Sequence, residues 1–344
     1  MTASDILPLL ARLAEGATLN ADQCASIVGR MMDGDVTAGQ MGAFLMALRT
    51  RGETVEELTG AVQALRRRVA SVEAPEGAVD TCGTGGDGQH TLNISTAAAF
   101  VAAGAGAIVA KHGNRAQSSR AGSADVLEAL GVRLDLQPAA ITQCMREIGI
   151  GFMFAPAHHG ALKAVGPIRR ELGVRTLFNL TGPLANPAHC KRQLLGVFAL
   201  RWLDPLAQTL LALGTEKAWV VHGADGLDEI STTGPTEVAV LDQGRVGHFT
   251  IAPAAFGFAP ARIEDLRGGE PADNAKALRA LLEGERGSYR DIVLINAAAA
   301  LVVAGRAGDL GDGVTQAEKS LDSGAAKSKL DGLIALSQRL GDAR

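Results

Sequence analysis

The amino-acid sequence predicts an α/β protein in which a small helical module precedes a larger sheet domain. Three observations carry this. Within the first 60 residues, three capping boxes each open an apolar run of helical spacing. Beyond Pro75, short β-prone runs alternate with helical segments and Gly-rich turns. The length, 344 residues, exceeds one ordinary core and suits two unequal domains.

Taken in order, Ser4 can cap a helix whose Ile6, Leu9, Leu10 and Leu13 share one face, and Gly16 ends it. Asn20 with Gln23, Thr37 with Gln40 and Thr54 with Glu57 then open three more helices. Strands are expected at residues 78–81, 107–110, 151–154, 218–222 and 291–295. Residues 169–187 interrupt this alternation with a helix end, Gly173 and the turn-forming pairs Gly182-Pro183 and Asn186-Pro187, as expected if the chain leaves the sheet domain and returns. Residues 297–303 are a buried helix or strand whose type periodicity does not settle.

Composition excludes several function classes. The formal charge is −4 and the basic residues are scattered, which disfavours polyanion binding, while 3% aromatics disfavour a base-stacking surface. The longest weakly polar stretch, residues 97–110, falls short of the roughly 18 apolar residues of a membrane span. Asp5 stands where a secretory signal would be basic, so a cytoplasmic protein is expected. Cys24, Cys82, Cys144 and Cys190 lie far apart, arguing for reduced thiols over a disulfide framework or zinc site. Glycine stands out: 42 residues is about 12% against a usual value of roughly 7%, which points to repeated close approach to the backbone.

The densest chemical feature is Asp80-Thr81-Cys82-Gly83-Thr84-Gly85-Gly86-Asp87-Gly88, a glycine loop after an expected strand. Without Cβ atoms, consecutive N–H groups can converge on an anion, so a phosphate cradle is the natural reading and a ligand-free turn the plain one. Gly83, Gly85 and Gly88 also fit a dinucleotide fingerprint. That reading fails because His90-Thr91-Leu92-Asn93 is no apolar helix start, and Lys111 stands where an acid should hold a ribose. Asn93, Ser95 and Thr96, with Ile94 between them, precede an apolar helix at residues 97–103, where the dipole and free N–H groups favour phosphate. Lys111, His112, Gly113, Asn114, Arg115, Ala116, Gln117, Ser118 and Ser119 then follow the strand at 107–110, and Ser123 starts another helix. Their charges and hydroxyls suit a phosphorylated sugar, although a solvated basic loop would also explain the Lys and Arg. Downstream, Asp228-Glu229 after a strand end suits magnesium, a weak signal alone because loop acids are usually just solvated. His158 and His159, with Lys163, Arg169 and Arg170, form a further polar cluster that a buried histidine and a charged helix face would explain equally well.

In this order the segments resemble the anthranilate phosphoribosyltransferases. The matching parts are residues 83–87, 93–96, 111–115, 123–131, 175–187 (RTLFNLTGPLANP) and 227–231 (LDEIS), and the resemblance runs from the N-terminal helices to about Arg306. It implies the nucleoside phosphorylase-like fold: a small helical domain, residues 1–72 with 169–188, against a large α/β domain with a mixed central sheet, residues 73–168 with 189–344. It implies a homodimer formed through the helical domains. It also implies transfer of the phosphoribosyl group of 5-phosphoribosyl 1-pyrophosphate (PRPP) to the amine of anthranilate, releasing pyrophosphate, a step of tryptophan biosynthesis.

By the same resemblance Gly83, Gly86, Asp87, Thr91, Asn93 to Thr96, Lys111 to Ser119 and Ser123 hold PRPP. Ser95, Asp228 and Glu229 ligate Mg2+, and Gly83, Asn114 and Arg169 contact anthranilate, with His112 and His159 lining its path. One departure is visible, His159-Gly160 where the family commonly has His-Pro. The implied chemistry agrees with the residues. Loss of pyrophosphate leaves oxocarbenium character at the sugar C1, so leaving-group charge must be neutralised and the amine held in line. The aromatic amine is neutral at pH 7 and needs no strong base, and no catalytic nucleophile is assigned. A pyrimidine nucleoside phosphorylase would share the fold but has no use for paired acids. A nucleic-acid-binding relative should replace those acids with a basic groove.

Overall fold

The structure, a computed structural model, describes residues 6–116 and 120–342. Ser4 therefore lies outside the described residues. Helices α1 (Ile6–Ala14), α2 (Ala21–Asp33), α3 (Ala38–Arg51) and α4 (Val55–Arg66) form the N-terminal module, and all three capping boxes close. The third reaches furthest. Glu57, wholly buried, accepts from the Thr54 N–H at 2.9 Å, from the Leu19 N–H at 3.0 Å and from the Arg51 guanidinium, which also reaches the Ala17 carbonyl. One carboxylate thus fastens the α1–α2 turn and the end of α3 to the start of α4, satisfying donors that burial would otherwise orphan.

Seven strands follow: β1 (Val79–Gly83), β2 (Val109–Gly113), β3 (Ile150–Phe154), β4 (Arg192–Gly196), β5 (Lys217–Gly223), β6 (Thr236–Asp242) and β7 (Arg245–Ile251). They lie in the order β3-β2-β1-β4-β5-β6-β7; the first five are parallel, while β6 is antiparallel to both neighbours, so the sheet is mixed. The chain runs outward from β1 to β3 and restarts on the other side at β4. This puts a topological switch point beyond the carboxyl ends of β1 and β4, where open α/β sheets bind ligands.

The connecting helices are α5 (Ile94–Gly104), α6 (Ser123–Ala129), α7 (Pro138–Ile148), α8 (Ala155–His158), α9 (Gly166–Leu172), α10 (Leu177–Thr181), α11 (Leu203–Ala212), α12 (Pro271–Leu282), α13 (Ser288–Ala304), α14 (Leu310–Asp322) and α15 (Ala325–Asp342). Strand residues alternate between two cores. Leu194, Trp219 and Val221 join α5 and α13 on one face, whereas Leu195, Ala218 and Val220 join α1 to α4, α10 and α11 on the other.

Residues 291–295, expected as a strand, are helical. They sit inside α13, whose 17 residues also include the undecided 297–303. The run is β-branched and buried all round, so no amphipathic period marks it, and its total length is the feature that separates it from a strand. Three strands escape the sequence reading: β4, and the β6–β7 hairpin, whose Gln243-Gly244 turn has both residues at positive φ, 49° and 72°. Boundaries move too, two of them at the site. β2 extends through Lys111 and His112, and α5 begins at Ile94, placing Ser95 and Thr96 in its first turn.

Candidate active site

The switch point gathers motifs far apart in the chain. The glycine loop leaves β1 with Gly85, Gly86 and Gly88 at φ of 65°, 76° and 77°, the left-handed region that lets N–H groups turn one way. Gly83 and Gly196 are paired across β1 and β4, and a Cβ on either would overlap Asp228. The two glycines are the floor on which the acidic loop rests. From there Asp228 Oδ2 accepts the Gly85 N–H at 2.6 Å, Glu229 Oε1 accepts the Ser95 N–H at 3.0 Å, and Lys111 Nζ donates to the Thr81 carbonyl at 2.6 Å and to Ser95 Oγ at 3.4 Å.

The acidic loop is held from below. Asp225 accepts from the Leu227 N–H at 3.1 Å, from Ser231 Oγ at 2.6 Å and from the Thr233 hydroxyl, and its carbonyl accepts from Gln89 Nε2 at 2.8 Å. Asn296, fully buried on α13, brackets Ile230, accepting its N–H at 3.0 Å and donating to its carbonyl at 2.8 Å. Asn296 was missed because a lone amide in an apolar helix carries no sequence signal beyond being out of place; that misplacement is itself the clue.

Charge is crowded here. Burial, then neighbouring Asp87, pushes the Asp228 carboxyl up to about 7; burial, then Asp228, pushes Glu229 up to about 8, against the pull of Lys111. Burial pushes Lys111 down. Oxygen donors that repel one another this strongly fit a hard divalent cation. Among the described residues no group of three or more His, Cys, Asp or Glu side chains is placed to hold a metal, so this pair would leave most of an octahedron to water and substrate oxygens.

The remaining expected residues divide. Asp87 Oδ1 accepts the Gln89 N–H at 3.1 Å, and Thr91 bridges to Arg267. Asn93 does not cap α5. Its amide donates to the Ala121 carbonyl at 3.2 Å and accepts from Asn274 at 2.9 Å, so it braces the loop at the head of α6. Ile94 is core, and Thr96 Oγ1 is buried without a partner among the described residues. Gly113 leaves room for Ser123 and Phe152, and the exposed Asn114 accepts the Ala124 N–H at its carbonyl, 3.2 Å. Arg115 turns to α6, pairing with Asp125 at 2.9 Å and Glu128 at 2.7 Å over the Phe154 ring. Asp125, unmarked in the sequence, also accepts the Ala116 and Gly122 N–H groups, both at 2.9 Å, and so ties β2's exit to the start of α6. Gln117, Ser118 and Ser119 lie outside the described residues.

A second group of residues suits an aromatic acid. The His112 and His159 rings lie 5.2 Å apart, each with a buried Nε2 lacking a partner among the described residues. Burial and the neighbouring imidazoles lower both, His159 to about 4, so both are neutral at pH 7. His158 is instead structural, its Nδ1 lying 2.7 Å from the Ala70 carbonyl. Gly160 opens the turn Gly160–Ala164 with nothing near the position of a Cβ. Half-buried Arg169 has no carboxylate partner among the described residues; it lies over Phe178 and reaches Asn179 Oδ1 at 3.5 Å, while Arg170 is exposed. A half-buried guanidinium without an acid is an anion site in waiting.

Comparison with known proteins agrees with this geometry. Residues 7–69 match the model of the glycosyl transferase family, helical bundle domain, and residues 75–327 that of the glycosyl transferase family, a/b domain. The chain is 58% identical to the anthranilate phosphoribosyltransferase of Xanthobacter autotrophicus over 98% of each chain, and 59% identical to that of Azorhizobium caulinodans over 97% of each. Among solved structures, the anthranilate phosphoribosyltransferase of Thermus thermophilus superposes with a TM-score of 0.91 at 40% identity, covering 98% of this chain and 100% of that one. The Saccharomyces cerevisiae enzyme in complex with PRPP and Mg superposes with a TM-score of 0.89 at 27% identity, covering 98% of each. These alignments run past Arg306, where the sequence resemblance stopped, into the C-terminal helices. The chain belongs to the anthranilate phosphoribosyltransferase family.

Proposed function

We propose that the loops beyond β1, β2 and β5 bind PRPP, and that His112, His159 and Arg169 receive anthranilate, for the reaction of the family: the amine nitrogen bonds to the sugar C1 as the bond to pyrophosphate breaks, and the amine sheds a proton to solvent. The convergence of Gly85, Ser95, Lys111, Asp228 and Glu229 on one point carries this reading, since their contacts join segments up to 143 residues apart. In the proposal Gly83, Gly86, Asp87, Thr91, Asn93 to Thr96, Lys111 to Ser119 and Ser123 hold the donor, with Gly83 and Asn114 also touching anthranilate. Ser95, Asp228 and Glu229 would hold Mg2+, which when bound offsets the charge of the departing pyrophosphate. Lys111 and the loop N–H groups do the same from the protein side, and act most strongly as C1 gains positive character.

Arg169 fixes the acceptor through its carboxylate, for which a planar guanidinium is the matched partner. The neutral imidazoles of His112 and His159 let an apolar ring pass and leave its amine unprotonated. No side chain is needed as nucleophile. We further propose the division into residues 1–72 with 169–188 and 73–168 with 189–344, a homodimer through the smaller part, and a cytoplasmic setting for the four free thiols. No helix among the described residues is long and apolar enough to cross a membrane.

Mass analysis of the products tests the reaction. Anthranilate, PRPP and Mg2+ should yield N-(5-phosphoribosyl)anthranilate and pyrophosphate in equal amounts, and a pyrimidine nucleoside with phosphate should yield nothing. Phosphorolysis without transfer would overturn the proposal.

A further inference from the structure

The two half-sites are joined by a short segment to which the reaction as described gives no part. α9 carries Arg169 and ends at Gly173, which takes the left-handed φ of 64°; two residues later Arg175 crosses to the glycine loop. There Arg175 Nη1 donates to the Gly86 carbonyl at 2.8 Å while its guanidinium lies over the Phe198 ring at 4.3 Å. The next residue, Thr176, starts α10, its N–H donating at 3.0 Å to Asn179 Oδ1, the same oxygen that lies 3.5 Å from Arg169 Nη2. An unbroken path therefore runs from Gly86 through Arg175, Thr176 and Asn179 to Arg169. Both arginines on it lack a carboxylate partner among the described residues. Arg175 uses one of its five donors on Gly86, which leaves the others for an anion in the loop.

We propose that Arg175 and Asn179 are positioning residues that couple occupancy of the glycine loop to the orientation of Arg169, so that the acceptor carboxylate is read well only with the donor pyrophosphate in place. This rests on the loop and Arg169 having the roles proposed above. The physical basis is geometric. Arg169 is steered by one aromatic face and one long hydrogen bond, so the amide of Asn179 decides where its fork points. Asn179 belongs to a one-turn helix whose entry is fixed by Arg175 on the loop. An anion that draws Arg175 in tightens that turn, and coupling of this kind is worth roughly 5- to 150-fold in affinity.

The test uses inorganic pyrophosphate with Mg2+, which has no C1 electrophile and cannot react, and follows anthranilate binding by its own fluorescence. In the parent protein pyrophosphate should tighten anthranilate about tenfold, and anthranilate should tighten pyrophosphate by the same factor. Arg175→Ala should bring that ratio, measured at saturating pyrophosphate, to about one. Arg175→Lys should restore part of it. Phe198→Leu, which removes the platform under the guanidinium, should lower the ratio too, and Asn179→Ala should weaken anthranilate whether or not pyrophosphate is present. A ratio near one in the parent protein, or a parent-like ratio in Arg175→Ala, overturns the coupling. If the parent protein binds neither ligand, the assignment of the two half-sites falls with it.

Discussion

Asp228 and Glu229 are the residues whose environment departs furthest from what loop acids normally meet. Their carboxyls rise from ordinary values of 3.8 and 4.5 to about 7 and about 8. Each folded value lies above the unfolded one, so in metal-free protein these groups favour the fold below about pH 4 and give that stability up as pH climbs to about 8. The double variant Asp228→Asn, Glu229→Gln should therefore melt like the parent near pH 4 and above it at pH 8, while losing at least a hundredfold in turnover at limiting Mg2+. A melting difference that stays flat between pH 4 and 8 in thermal scans contradicts the crowded-acid reading, and undiminished turnover contradicts the metal role. Arg169 supplies a second contrast. A charged hydrogen bond is worth about 1.5 to 3 kcal/mol, or roughly ten- to a hundredfold, so Arg169→Ala should raise KM for anthranilate by that factor and KM for PRPP little. Arg170, exposed one position on, is the control. Equal behaviour of the two alanine variants in steady-state kinetics would remove Arg169 from the acceptor site.

Among the elements, those with local chemistry at their ends were legible in the sequence. Asn20, Thr37 and Thr54 announce their helices because a cap and its partner three residues on are both polar and both visible. β4 and α13 were not, because what defines them is a partner elsewhere: β4 is recognisable only once Gly196 is paired with Gly83, and α13 only once it is seen buried on all sides. The site divides the same way. Its loops were readable as clusters of glycine, hydroxyl and charge, whereas Asp125, Asn296 and Gly196, which hold those loops in place, look ordinary in sequence.

Two changes test elements rather than ligands. Glu57→Ala strips acceptors from Leu19, Thr54 and Arg51 at once and leaves a mostly buried guanidinium without its carboxylate, so it should cost about 3 kcal/mol in denaturant unfolding. A cost under 1 kcal/mol would mean that the boundary between α1 and α4 is held otherwise. Gly196→Ala places a methyl where the Asp228 carbonyl now sits, and displacement of the acidic loop by about 1 Å should cost roughly a hundredfold in kcat with the far-ultraviolet circular dichroism unchanged. Parent-like kcat in that variant would show that the floor under Asp228 is dispensable.

At the scale of the whole molecule, the helical module shares its core with one face of the sheet, through Leu195, Val220 and α11, so the module is bound tightly to the body that carries the site. Apolar side chains stay in water on α1, at Leu7, 57% exposed, and between α9 and α10, at Val174, 46% exposed. Light scattering at micromolar concentration should report about twice 35.4 kDa, and a mass of one chain would count against a dimer. Whether donor and acceptor meet at the switch point beyond β1 and β4 is read from the fluorescence of anthranilate. Purified protein with PRPP and Mg2+ should quench that fluorescence in a progressive, catalytic decay, which chelation of the metal stops and which the Asp228→Asn, Glu229→Gln protein lacks. Fluorescence that stays constant with the parent protein, or decays equally with the double variant, would contradict it.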